Sequence, residues 1–225
     1  MKRATRGMTL AVLAAVLTAC GGEPAGRANG DSLEGHESET QLTLSAEQVR
    51  VAMPSGGSLP EGWIGGGWAS KPQVDEGAKA AEECGRDTQT SCAGFTSHGH
   101  RSVETKENAE STGKGASVYF DVHSFDTAEN AGVAFKGLVA NKRKQAAGGS
   151  GSAPAPLAIS AGADETDAFS EEVSGEYSVE VMMRVGGVVV YLHGYDQRKP
   201  DDLQGLAKLQ IDRIKKTAEG KNPDA

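Results

Sequence analysis

Apolar and polar positions alternate most regularly between Ser178 and Tyr195, where Gly186-Gly187 separates two β-rich runs. Paired glycines suit a two-residue hairpin turn, which needs positive φ. That turn sets a register in which Val185 opposes Val188, Met183 opposes Val190 and Val181 opposes Leu192. One face of the hairpin is therefore wholly apolar and is predicted to be core. The other pairs Arg184 with Val189, Met182 with Tyr191, Glu180 with His193 and Ser178 with Tyr195, and is amphiphilic. A second alternating run, residues 116–125, places Val118, Phe120 and Val122 on one side and Tyr119, Asp121 and His123 on the other. This pattern predicts a half-buried strand. Residues 167–173 read as a further strand. The segment 59–64 with Trp68 reads as a loop or edge strand whose two tryptophans anchor loops onto the core.

Helical spacing takes over between these runs. Ser45 and Gln48 form a capping box for a short helix over about 46–53, stopped by Pro54. Asp126 and Glu129 mark a second start, and Ala128, Ala131, Phe135, Leu138 and Val139 recur at helical spacing to about Ala147. Lys142, Arg143 and Lys144 fall near its C-terminus, where cations suit the dipole. After the Gly/Ser/Pro-rich run 148–156, read as a flexible loop, a last helix carries Leu203, Leu206, Ala207, Gln210, Ile211, Ile214 and Ala218 on one stripe. Strands in hairpin order with helices between them predict an α+β fold. A largely antiparallel sheet is packed with helices in a single domain over 42–220.

Ahead of that domain the pattern changes. Lys2, Arg3 and Arg6 precede an apolar run, Met8–Ala19, too short for a membrane-spanning helix and suited to a signal peptide over 1–19. Leu17-Thr18-Ala19-Cys20 resembles the bacterial lipobox, which implies a diacylglyceryl anchor on Cys20 and placement on the outer face of the cell membrane. Two acyl chains hold a protein stably where one does not. Residues 20–41, almost free of apolar side chains, read as a lipidated cysteine and flexible tether, with a reach of roughly 25–30 Å over about 25 residues. His36 is a solvated residue of that tether.

Composition narrows the function classes. The 225 residues hold 23 Lys+Arg against 31 Asp+Glu, a net charge of −8. Loss of Lys2, Arg3 and Arg6 with the leader takes it to −11. Nucleic acid is excluded as a general partner, because phosphate neutralisation needs a basic surface. With Cys20 acylated, two of the 3 cysteines remain. In an oxidising compartment Cys84 and Cys92 form a structural disulfide, worth about 2.6 kcal/mol in the chain-entropy model.

Chemistry-bearing motifs are scarce. Ser111 and Lys114 match S-x-x-K without its partner motifs, and no nucleotide, nucleophile-elbow or zincin signature occurs. Asp164, Glu165, Asp167, Glu171 and Glu172 read as a solvated or loosely ion-binding face. His98 and His100 share one face of a strand, but a metal centre needs three or four converging ligands. They are read as half-exposed strand histidines, with no metal and no cofactor expected. Tyr119, Asp121, His123, Glu180, Arg184, Tyr191 and His193, with Met182, are the candidate lining of a ligand cleft. The alternative for that face is a simple cover by the helix 126–147.

The segments 42–53, 59–63, 118–135 and 178–194, with the terminal helix, resemble an actinobacterial family of exported sensor-type domains. That family includes the extracellular domain of the PknH-type Ser/Thr kinase and related envelope lipoproteins. The resemblance implies an α+β domain around a broad cleft and no catalytic residues, with a cell-envelope ligand or signalling protein as partner. Such kinase domains carry two disulfides, whereas this chain has cysteines for one. The expectation is thus a membrane-anchored, non-catalytic binding or sensor lipoprotein. A lipid or glycolipid carrier would need a large apolar cavity, and an envelope hydrolase convergent Ser/His/Asp or paired carboxylates.

Overall fold

Ser45 caps the first helix, α1 (Ala46–Ala52), as the capping box predicts: its Oγ accepts from Gln48 N–H at 3.3 Å and Ser45 N–H donates to Gln48 Oε1 at 2.9 Å. The computed structural model describes residues 42–111, 115–149 and 153–225, so the leader, Cys20, the tether and Lys114 lie outside the described residues. The side chain of Trp68 is also outside them.

After α1 come β1 (Trp63–Gly65), a 3₁₀ turn (Gly67–Ala69), β2 (Gln73–Glu76), α2 (Gly77–Thr88), β3 (Phe95–Thr105) and α3 (Lys106–Ser111). The chain continues through β4 (Ser117–Phe125), α4 (Ala128–Ala147), β5 (Ala155–Pro156), β6 (Glu165–Val173), β7 (Glu176–Val185), β8 (Val188–Gln197) and α5 (Gln204–Ala218). The strands form one antiparallel sheet in the order β1-β3-β4-β8-β7-β6-β5, with β2 also paired to β3. The α+β class and antiparallel sheet follow the pattern reading.

The sheet separates two cores. On one face Val118, Phe120, Val122, Val181, Met183, Val190 and Leu192 meet Val49 of α1 with its C-cap Met53, and Leu206, Ile211 and Ile214 of α5. On the other, Phe169, Met182, Val189 and Tyr191 meet Ala131, Phe135 and Leu138 of α4 and the Cys84–Cys92 disulfide at the end of α2. Complete burial of each large aliphatic side chain contributes about 1.5–3 kcal/mol. Gly99 shows how closely α1 lies on β3, since a Cβ there would stand 2.6 Å from Val49 Cγ1.

Four local differences from the pattern reading have physical causes. The hairpin keeps its predicted register from Val185–Val188 to Val179–Gly194, then shifts so that Tyr177 pairs Gln197. Asp196 takes φ +54° at that bulge, and the predicted Ser178–Tyr195 pair is not made. The cap of α4 is Thr127, whose Oγ1 accepts from Asn130 N–H at 3.2 Å, while Asp126 Oδ1 accepts from Asn130 Nδ2 at 2.8 Å. The loop 148–156 ends in β5, which pairs with β6. Part of the acidic cluster is ion-paired: Asp167 receives Arg143 through Nε and Nη2, and Glu165 receives Arg184 Nε at 2.6 Å. Trp63 is half-buried against the first core, as an anchor should be. Among the described residues no helix is long and apolar enough to cross a membrane.

Candidate functional site

The polar face of the hairpin and of β4 is shared with β3, because the registers His98–His123, His100–Asp121, Asp121–Tyr191 and Tyr119–His193 align their alternate side chains. Helix α4 covers the end of this face where Met182 and Val189 are wholly buried. Beyond that end, Tyr119, Asp121, Tyr191, His193 and Tyr195 surround an open cavity of about 220 Å³, joined by His100 and by Lys142 reaching down from α4. The face is thus half covered and half open.

Rings dominate the open half. Tyr119 and Tyr195 meet edge to face with centroids 5.7 Å apart, and His193 lies 3.9 Å from Tyr195. Lys142 Nζ stands 4.3 Å from the Tyr191 ring centroid, within cation–π range. Burial, reinforced by Lys142, pushes His193 down to about 4, so this imidazole is neutral at neutral pH. Its Nε2 lies 3.3 Å from both Glu180 Oε1 and Ser178 Oγ. A Ser-His-acid triad needs the acid and the hydroxyl on opposite ring nitrogens; here both meet the same one. Burial raises Glu180, and burial together with the Glu180 charge raises Tyr191, which makes its phenol a poor nucleophile.

Deeper in the face, histidines and carboxylates alternate. His98 Nε2 lies 2.8 Å from Asp121 Oδ1, and the His98 ring stacks on His123 with centroids 4.5 Å apart. Burial opposes charge on His98, but the hydrogen bond and charge of Asp121 outweigh it and raise the pKa. For Asp121, burial is outweighed by the same hydrogen bond, which holds the carboxyl below its usual range. His123, sealed and next to His98, is pushed down to about 3. His100 Nε2 lies 3.1 Å from Gln73 Oε1 and its Nδ1 lies 3.5 Å from Asp75 Oδ2.

Of the residues expected to line a cleft, Tyr119, Asp121, Tyr191 and His193 surround the cavity and Glu180 stands behind His193. His123 is buried, stacked against His98, and Met182 is in the α4 core. Arg184 sits at the hairpin tip, bonded to Glu165, Asp164 and the Gly186 carbonyl, away from the cavity. Lys142 and Tyr195 were not in that set. Tyr195 is legible from the face pairing, whereas sequence spacing marks Lys142 only as a helix-end cation.

No protein-family model matches the chain, and no curated protein matches it. Among solved structures it is similar to the extracellular domain of PknH from Mycobacterium tuberculosis. The TM-score is 0.46 and the identity 16%, over 79% of this chain and 93% of that one.

Proposed function

We propose that the chain is an extracytoplasmic lipoprotein, anchored through Cys20, whose domain binds a small ligand without transforming it. The observation that carries this reading is the open half of the polar face. Several ring faces, one carboxylate and one ammonium converge there on about 220 Å³, bordered by Tyr119, Asp121, Lys142, Tyr191, His193 and Tyr195. Ring faces suit the apolar side of a hydroxylated ring, and Asp121 and Lys142 suit its polar rim. The volume is below the range of about 300–1,000 Å³ used by drug-sized ligands, so a single small ring is the fitting occupant. A lipid tunnel would need a far larger space. The Cys84–Cys92 disulfide supports an oxidising compartment, in keeping with the leader pattern of residues 1–19.

Calorimetric titration with soluble cell-envelope saccharide fragments tests the binding site. We expect saturable binding that is lost in Tyr195→Ala and His193→Ala, with both variants retaining the folded far-UV signature. No binding, or binding untouched by these changes, overturns the reading. Membrane fractionation of Cys20→Ala in the native cell, with release of the chain expected, tests the anchor separately.

A further inference from the structure

We propose that Asp75, His98 and His100 form a binding site for a divalent transition ion of the zinc class, where β2 joins β3. The site does not rest on the small-ligand reading above, although His100 and Asp121 also border that cavity.

The sheet register brings the ligands together. Asp75 on β2 lies directly opposite His98 on β3, and His100 is two residues further along the same strand face. One donor atom from each of the three residues lies within 4.8 Å of the others. The separation of 3.5 Å between His100 Nδ1 and Asp75 Oδ2 is close to the edge of a tetrahedron with zinc–ligand bonds of 2.0–2.1 Å, which is about 3.3 Å. The remaining separations, up to 4.8 Å, shorten by side-chain rotation when the three donors close on one ion.

A second layer of contacts orients the rings. His98 Nε2 is held by Asp121 Oδ1 at 2.8 Å, and His100 Nε2 by Gln73 Oε1 at 3.1 Å. A carboxylate and an amide oxygen only accept, so each Nε2 carries hydrogen and each Nδ1 is the nitrogen that would offer its lone pair to the ion. Histidines that bind metal are held in this way, through a carboxylate or carbonyl on the ring's other nitrogen. Asp121 and Gln73 thus supply the support of a metal site, and neither adds a competing positive charge.

His98 Nδ1 is the independent observation. It is buried and has no hydrogen-bond partner among the described residues. A polar atom sealed without a partner is unfavourable, and a simple ion pair between exposed Asp75 and His100 does nothing to relieve it. A cation shared by the three side chains satisfies it, with release of any proton on that nitrogen. Two imidazoles and one carboxylate suit zinc better than calcium or magnesium, which take oxygen ligands. Three protein ligands also leave a fourth position for water or an incoming group. The site is rigid because Gly99, between the two histidines, is pressed against Val49 of α1 and its C-cap Met53.

The test uses the full chain, stripped of metal by chelator and dialysed, and zinc chloride alone as the probe. Calorimetry should show one equivalent bound, with an upward shift of the thermal midpoint. Cobalt substitution should give the visible absorption of a four-coordinate ion. Asp75→Asn and His100→Gln should each weaken zinc binding at least tenfold and together abolish it, while their metal-free midpoints stay near that of the parent chain. Asp121→Asn, which changes the support of His98 and leaves the three ligands in place, should weaken it by about 10–100-fold. Absence of saturable zinc binding overturns the proposal. So does binding that survives the Asp75/His100 double substitution, since the ion would then be held elsewhere.

Discussion

Arg101 and Arg213 are both nearly sealed from solvent, at 3% and 2% exposure, but their hydrogen bonding differs completely. Arg213 donates through Nε to the carbonyls of Ala52 and Met53, through Nη2 to Val51 O at 2.8 Å, and through Nη1 to Asp224 at 2.6 Å. It therefore satisfies the carbonyl end of α1 and holds the chain terminus. Arg101 has Nε and Nη1 buried with no hydrogen-bond partner among the described residues, and both burial and the charge of Arg213 disfavour its protonated form. Losing an answered buried charge that others depend on is destabilising, whereas replacing an unanswered one with an apolar side chain removes a desolvation penalty. Arg213→Met, which leaves the α1 carbonyls without their donor, should lower the unfolding free energy by about 1–3 kcal/mol, and Arg101→Met should raise it by about 1 kcal/mol or more. Urea midpoints at unchanged slope measure both; a lower midpoint for Arg101→Met would mean that a solution anion answers the guanidinium. Neither role was legible in the sequence. Arg213 lies seven residues from Leu206, on the helix stripe itself, but an apolar pattern discounts any charged member.

At the scale of elements, β4 and the β7–β8 hairpin were legible because their alternation has period two and one face is uninterrupted by charge. Their polar faces were equally legible, and this is why four of the expected cleft residues do meet. The bulge at Asp196 was not, since a positive φ outside glycine carries no pattern signal. Nor was the reach of Lys142 over Tyr191, which depends on where α4 crosses the sheet rather than on spacing within it. The disulfide follows from compartment and cysteine count, and its role depends on its neighbours. It joins the last turn of α2 to a residue at φ +46°, with Gln89 between them at φ +55°. Two non-glycine residues in the left-handed region are unfavourable in a free chain, so the bond holds a turn that the sequence does not prefer. Cys84→Ser/Cys92→Ser should lower stability by about 2–3 kcal/mol. Equal urea midpoints for the oxidised parent and the double variant would remove that role.

For the molecule as a whole, one sheet carries an apolar face closed by α1 and α5 and a polar face only partly closed by α2 and α4. The second arrangement makes global stability depend on pH. His193 is packed among Tyr195, Tyr191 and Glu180, with Lys142 above the same face, and its pKa falls from the ordinary 6.5 to about 4 on folding. Between those two values the unfolded chain holds a proton that the folded chain refuses. Stability from this group is therefore complete above pH 6.5 and is lost as pH falls towards 4. The linkage amounts to about 2 kcal/mol between pH 7.5 and pH 5, and about 3 kcal/mol once pH is below 4. His123, pushed down to about 3, acts in the same direction, so the parent chain should lose more than this in total. His193→Gln isolates the single contribution. Its unfolding free energy should fall by about 2 kcal/mol less than that of the parent between pH 7.5 and pH 5. Parallel pH profiles for the two chains would show that His193 takes up its proton without opening the face, and would place the acid sensitivity at the buried His123 instead.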